Sequence, residues 1–298
     1  MTEPQYHSGF VSIVGRPNVG KSTLMNAMMG MKMAIVTPKA QTTRNVMRCI
    51  LTRGQYQMVF IDTPGIHKPK NKLGEHMLSA ARGTFSEVDA VLFLVDAEAG
   101  IGSGDQFVSE MLAGIKTPVL VAVNKIDTLS PEALQAAMAQ AGELVPGSKV
   151  FAISALQGTG LDALEDALAG CLPEGPQYYP DDTVTDQPER VIVAEIIREK
   201  TLLYLREEIP HGIGVVVERM EEREDKPLIH IEATIYCEKK SHKSIVIGKQ
   251  GSMLRQIGTA ARTDIQALLG CQVFLELWVK IRPDWRDNPR DLKMLGYE

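Results

Sequence analysis

The chain has 298 residues, 44% apolar and 23% charged, with a formal net charge of −5. This balance is that of an ordinary soluble globular protein, needs no disorder to explain it and excludes a globally basic nucleic-acid binder; the length suggests about two domains. The four cysteines (Cys49, Cys171, Cys237, Cys271) lie outside metal-ligand spacing and the six histidines form no paired pattern, so free thiols in a reducing cytosol are expected and structural zinc is not.

The first ten residues, MTEPQYHSGF, carry neither a basic nor an apolar leader segment, so no signal peptide is expected. FVSIV (10–14) is then a short apolar run, followed by a Gly-rich turn and a helical stretch from Lys21. QMVFID (57–62), AVLFLVDA (90–97), VLVAVNKI (119–126) and VFAIS (150–154) recur between helix-like segments. These runs are apolar throughout and too short to span a bilayer, as expected of strands covered on both faces. Their alternation with helices predicts an α/β domain with a mostly parallel sheet and helices on both faces, over residues 1–173.

Residues 174–188, within LPEGPQYYPDDTVTDQPE, are rich in proline and acid and read as a linker, with Tyr178 and Tyr179 docked on a domain surface. Beyond it the order changes. A helix is predicted over 190–208, strands over GVVVERM and LIHIEATIYCE with EREDK as the turn, a short helix over 242–247, a longer one over 251–269, and a last strand, QVFLELWVKI. Residues 189–298 thus form an α+β domain with a C-terminal tail.

Two loops carry the chemistry. GRPNVGKS (15–22) fits G-x-x-x-x-G-K-[ST], follows a strand and opens a helix. Chance alone gives such a match on the order of one time in a hundred in a chain of this composition. Gly15, Arg16, Pro17, Asn18, Val19, Gly20, Lys21, Ser22 and the adjoining Thr23 are the phosphate-binding set. Backbone N–H groups and the helix N-terminus meet phosphate oxygens, Lys21 reaches the β- and γ-phosphates, and Ser22 binds Mg²⁺. The bland alternative is a Gly-rich strand-to-helix turn.

The companions of this loop follow in order. Asp62, Thr63, Pro64 and Gly65 close an apolar strand; Asp62 can hold Mg²⁺ through water, and the Gly65 N–H can meet the γ-phosphate. Alone, Asp-Thr-Pro-Gly is also a good turn. Asn124, Lys125 and Asp127 end another strand. The Asp127 carboxylate can accept from N1–H and the 2-amino group of guanine, donors that adenine does not present in that arrangement. Lys125 would pack along the base plane. Ser154, Ala155 and Leu156 follow the next strand, where the Ala155 N–H can meet guanine O6.

In this order and spacing the motifs resemble the G1, G3, G4 and G5 elements of translation-factor-class GTPases. The resemblance requires a G2 threonine from a loop. AQTTRN (40–45) supplies Thr43 as the expected Mg²⁺ and γ-phosphate ligand, with Thr42 as the alternative. Where many GTPases carry a water-orienting glutamine, this chain has Ile66, as in a subgroup whose P-loop asparagine helps bind K⁺. That implies a slow, cation-stimulated enzyme with Lys21, Asn18, Thr43 and Gly65 in the catalytic set and Asn18 as a K⁺ ligand. The neighbouring His67 is not expected to act as a base.

IVIGKQGSMLRQIG (245–258) is the second loop. It lacks the P-loop pattern and holds G-x-x-G instead, Gly248 to Gly251, between two helical segments. From Lys239 to Arg262 there are six Lys/Arg and no Asp/Glu in an otherwise acidic chain, which favours a phosphate backbone. The bland alternative is a solvated helix face with a tight turn. With the helix-strand-strand-helix-helix-strand order, the segment resembles a type II KH domain. Its expected RNA contacts are Lys239, Lys240, Lys243, Ile245, Val246, Ile247, Gly248, Lys249, Gln250, Gly251 and Arg255.

A P-loop GTPase domain followed by a type II KH domain resembles the Era family of bacterial ribosome-assembly GTPases, over essentially the whole chain. The resemblance implies GTP/GDP and Mg²⁺ as ligands. It further implies binding to the 3′ end of small-subunit (16S) rRNA during assembly of the 30S subunit, a monomeric cytoplasmic protein, and possible peripheral contact with the inner membrane. One rival is a GTPase whose KH-like domain docks a protein or membrane. The other, an RNA-modifying enzyme, lacks candidate catalytic residues outside the G motifs.

Overall fold

The computed structural model describes residues 5–37, 43–205, 209–223 and 227–297, without the side chains of Pro210 and His211. The chain forms two compact units whose main division falls between Asp186 and Gln187, with Asn71–Leu73 grouped with the second. In the first, β1 (His7–Val14), β2 (Met47–Arg53), β3 (Tyr56–Asp62), β4 (Ala90–Asp96), β5 (Val119–Asn124) and β6 (Lys149–Ala152) form one sheet in the order β2-β3-β1-β4-β5-β6. All pairs are parallel except β2 with β3. The antiparallel β2, MRCILTR, is an element that the alternating strand–helix reading does not contain.

The helices are α1 (Lys21–Met29), α2 (Lys72–Gly83), α3 (Ser103–Leu112), α4 (Pro131–Leu144) and α5 (Leu161–Ala169). The apolar runs serve two faces at once. Along β4, Ala90, Leu92 and Leu94 enter the core that also holds Leu24, Met25, Leu164 and Leu168 of α1 and α5. Val91, Phe93 and Val95 enter the opposite core with Ala81, Val108, Leu112 and Ala141 of α2, α3 and α4. Period-2 side chains on a strand buried on both sides therefore read as a continuous apolar run.

Residues 174–186 are laid along the first unit. Ile50 donates its N–H to the Val184 carbonyl at 2.9 Å, and Thr185 Oγ1 donates to the Arg48 carbonyl at 2.7 Å, so this segment covers the free edge of β2. The buried Gln57 side chain accepts from the Tyr178 and Tyr179 N–H groups (2.9 and 3.0 Å) and donates to the Tyr179 carbonyl (2.9 Å). Tyr178 stacks on Phe10.

The second unit contains α6 (Glu189–Tyr204), β7 (Gly214–Glu222), β8 (Leu228–Cys237), α7 (Lys240–Ile247), α8 (Ser252–Leu269), β9 (Gln272–Ile281) and α9 (Pro289–Met294). The sheet order is β7-β8-β9, with β7 antiparallel and β9 parallel to β8. Ile257, Ala261 and Ile265, four apart on α8, meet Ile231, Ala233 and Ile235 of β8 and the Ile192, Val193, Ile196, Ile197 stripe of α6. The expected turn EREDK lies partly, and the expected helix end at 206–208 wholly, outside the described residues. The C-terminal segment is built in: the Trp285 side chain is fully buried, its indole N–H donates to the Gly212 carbonyl (3.0 Å), and the ring stacks on Tyr297. Among the described residues no helix is long and apolar enough to cross a membrane.

Candidate nucleotide site and nucleic-acid interface

The P-loop is a backbone device. Gly15 (φ 154°), Asn18 (φ 67°) and Gly20 (φ 100°) hold dihedrals that turn N–H groups into the concavity. A Cβ at Gly15 would lie 2.4 Å from the Leu94 carbonyl oxygen, and one at Gly20 2.3 Å from Asn124 Nδ2, so neither position admits a side chain. Val19 is core, while Asn18 is exposed and Pro17 and Thr23 are half-buried. The Arg16 side chain turns away from the loop: its Nε donates to both Asp105 oxygens (3.1 and 2.9 Å), and Asp105 in turn accepts the Gly102 N–H at the start of α3. Only the backbone of Arg16 belongs to the concavity.

Lys21 is buried and donates to the Gly15 and Arg16 carbonyls at 3.1 Å each. Burial lowers its amine to about 8, with Asp62 opposing and Arg16 assisting that shift. Asp62, at the end of β3, is also fully buried; burial raises its carboxyl to about 6 against the pull of Lys21 and the hydroxyls of Thr43 and Ser22. Thr43 Oγ1 donates to Asp62 Oδ2 at 3.1 Å, Ser22 Oγ at 3.4 Å, and the two hydroxyls are 3.1 Å apart. Asp62 Oδ1 is buried without a hydrogen-bond partner. Two hydroxyls and a carboxylate with an unsatisfied oxygen form an all-oxygen donor set that fits a hard divalent cation such as Mg²⁺. Thr42, the alternative to Thr43, lies outside the described residues.

The DTPG segment packs tightly on the P-loop. Thr63 Oγ1 donates to the Ile13 carbonyl (2.7 Å), and a Cβ at Gly65 would come within 2.9 Å of Pro17 Cα. Pro64 is buried. Ile66 donates its N–H to the Gly15 carbonyl (3.0 Å) and is 1% exposed, packed in the core. It is an anchor of the loop. His67 is half-buried, with Nδ1 3.0 Å from the Gly65 carbonyl oxygen.

The base-side residues form one cluster. Asn124 Nδ2 donates to the Val19 carbonyl (2.8 Å), and its Oδ1 accepts the Ala155 N–H (2.9 Å), fastening the end of β5 to both flanking loops. The Ala155 N–H, the expected partner of guanine O6, is bonded to Asn124 Oδ1 in this structure. The Leu156 side chain is 79% exposed. Ser154 Oγ donates to Asp127 Oδ1 at 2.5 Å and orients that carboxylate. Lys125, in the left-handed region, forms a 2.6 Å ion pair with Asp96. Asp96 and Asp105 were not among the expected site residues. Asp96 carries the same signal as Asp62, an acid closing an apolar run; Asp105 has none.

In the second unit the G-x-x-G turn joins α7 to α8. Gly248 (φ 72°, ψ 176°) occupies a conformation almost restricted to glycine, and a Cβ there would meet Met253 Cβ at 2.7 Å. Gly251 (φ 77°) caps α8, and a Cβ on it would meet nothing within 4 Å. The open side of the turn thus has room for an approaching chain. Lys239, Lys240, Lys249, Gln250 and Arg255 are exposed and Lys243 is half-buried. The expected Ile245–Val246–Ile247 contact divides. Val246 is fully buried in the core and unavailable to a ligand, because the 3.6-residue period turns it inward. Ile247 packs partly on the same core, and Ile245 is 47% exposed.

Residues 10–125 match the family model of the 50S ribosome-binding GTPase, and residues 208–286 match the KH domain model. The chain is 55% identical over 293 residues to GTPase Era of Alkaliphilus metalliredigens, covering 98% of this chain and 99% of that one. It is 52% identical over 292 residues to GTPase Era of Caldanaerobacter subterraneus subsp. tengcongensis, covering 98% of each. Two crystal structures superpose with TM-scores of 0.94 at 37% identity, each covering 98% of this chain and 99% of the other. One is Era in complex with MgGDPNP and nucleotides 1506–1542 of 16S ribosomal RNA; the second is an Aquifex aeolicus Era variant bound to GDP·AlF₄⁻. With a P-loop backed by a guanine-type cluster, a G-x-x-G turn in an α+β unit, and likeness along its whole length, the chain belongs to the Era family of GTPases.

Proposed function

We propose that the protein is a GTP-hydrolysing switch that grips single-stranded RNA, the 3′ end of 16S rRNA, during small-subunit assembly. The observation that carries the nucleotide half is the convergence of Ser22, Thr43 and Asp62 on one buried carboxylate with an unpartnered oxygen. Those three residues would hold Mg²⁺, Asp62 through water, and the ion would neutralise charge on the β- and γ-phosphates. Lys21 transfers its donors from the P-loop carbonyls to the phosphates. Asp127, oriented by Ser154, reads N1–H and the 2-amino group of guanine; Lys125, held by Asp96, lies along the base. Thr43 and the Gly65 N–H sense the γ-phosphate, so the loop bearing Thr43 orders with GTP and loosens with GDP.

Ile66 is buried and has no hydrogen-bonding side chain, so the attacking water is oriented by other groups. Asn18, exposed at the P-loop crest, serves as a K⁺ ligand there and supplies charge beside the phosphates. Hydrolysis is accordingly expected to fall severalfold when K⁺ is replaced by Na⁺ at constant ionic strength, and Asn18→Ala, which removes the side-chain oxygen, should erase the difference. Equal rates in the two salts would remove K⁺ from the mechanism.

The RNA half rests on the open Gly251 side of the turn and its basic surroundings, and on the 16S rRNA bound by the relative. The segment leaving the first unit is hydrogen-bonded to β2, the strand that follows Thr43, so a route from the nucleotide loop to Gln187 runs through those hydrogen bonds. The test is binding of a labelled RNA copying the 3′ end of 16S rRNA, at fixed salt, with GDP and with a non-hydrolysable GTP analogue. Tighter binding with the analogue, lost in Gly248→Asp/Gly251→Asp, is expected. Equal and weak binding in all cases would leave a GTPase whose second domain docks a protein or a membrane.

A further inference from the structure

The outer face of the β7-β8-β9 sheet, opposite the helices, holds a cluster that the nucleotide and RNA sites do not use. His230 and Glu232 alternate with the core residues Ile231 and Ala233 on β8 and so share the solvent side. The parallel register sets Glu232 directly opposite Glu276 of β9. Two carboxylates facing each other across a ladder repel unless a cation lies between them. His230 is the group that bridges them: its Nε2 is 2.6 Å from Glu276 Oε2 and 3.7 Å from Glu232 Oε1. Arg219 is drawn aside to Glu221 at 2.6 Å and stands 3.6 Å from Glu232.

We propose that His230, Glu232 and Glu276 bind a borderline divalent transition ion, Zn²⁺ or Co²⁺. Their three ligand atoms lie within 4.8 Å of one another. Tetrahedral Zn²⁺ with N and O ligands at 2.0–2.2 Å needs them roughly 3.4 Å apart, which small side-chain rotations reach. One imidazole and two carboxylates, with water as the fourth ligand, match that class of ion; Mg²⁺ prefers an all-oxygen set and belongs at Ser22, Thr43 and Asp62. On binding, the metal takes the Nε2 lone pair of His230 in place of the hydrogen bond to Glu276. The Phe274 ring, 5.3 Å from the imidazole, limits its rotation. The three side chains are 21%, 33% and 41% exposed, so the ion has direct access. The sequence does not announce the site, because its third ligand arrives from another strand 44 positions after Glu232, counted as 276 − 232.

The protein carries a reporter. Trp278 is two residues beyond Glu276, on the same strand face and 59% exposed, whereas the other tryptophan, Trp285, is fully buried. The experiment is titration of the full-length protein, saturated with GDP and millimolar Mg²⁺, with Co²⁺, a paramagnetic quencher of indole fluorescence. Saturable quenching is expected, reversed by Zn²⁺ and absent in Trp278→Phe. His230→Gln should weaken it at least about tenfold. Glu276→Gln, which relieves the carboxylate repulsion and keeps the fold, should weaken it comparably. Quenching that rises linearly without saturation, or an unchanged midpoint in Glu276→Gln, would overturn the proposal.

Discussion

At the scale of single residues, Lys21 and Asp62 set the terms of the first site. Both are buried, and burial drives each toward its neutral form, the amine down to about 8 and the carboxyl up to about 6. The sign follows. Between about pH 4 and 6 the folded protein holds a proton on Asp62 that an unfolded chain has released, so the desolvation cost of the carboxylate builds up as pH rises from about 4 to 6 and is fully present above 6. The cost of the Lys21 ammonium is present below 8 and disappears above it. At neutral pH both costs are present, and phosphate and Mg²⁺ offset them on binding. The affinity for Mg²⁺ and nucleotide should therefore weaken as pH falls through 6, by about tenfold per unit below it, since the carboxylate must lose its proton to bind the ion. Titration of a fluorescent GDP analogue with Mg²⁺ between pH 5 and 7.5 checks this; a flat profile would remove Asp62 from the cation site.

At the scale of elements, what was legible was whatever carries its signal locally. The P-loop, the polar ends of β3 and β5, and the G-x-x-G turn are contiguous motifs with mechanisms attached. β2 was not legible: MRCILTR carries polar residues at both ends and follows a loop, and it is held as a strand by pairing with β3. Asp105, Asp96 and Gln57 act on residues 89, 29 and 122 positions away, and no short window contains such pairs. Val246 was misassigned because three consecutive apolar residues on a helix do not share a face. The two glycines of the turn separate in the same way, by surroundings that the sequence does not display. Gly251→Ala should cost about 1–2 kcal/mol, the strain of a left-handed alanine facing open space. Gly248→Ala should cost more, because its Cβ must displace Met253 in addition to adopting a conformation reserved for glycine. Urea unfolding of the two variants ranks them; the reverse order would contradict the packing around Gly248.

At the scale of the molecule, two hydrophobic cores flank the six-stranded sheet and a third belongs to the second unit, so each unit has its own source of stability. The fold class of each was readable from the order of its elements. The role of residues 174–186 was not, because composition rich in proline and acid describes an exposed segment equally well when it is fixed and when it swings free. Fixed along β2, it sets where the first unit can be separated from the second. A chain ended after Pro173 keeps every G motif but bares a strand edge, and one ended after Asp186 keeps it capped. The shorter fragment should self-associate in analytical ultracentrifugation while the longer sediments as a single species; what looks like a tether to be trimmed is the selvedge of the nucleotide-binding sheet.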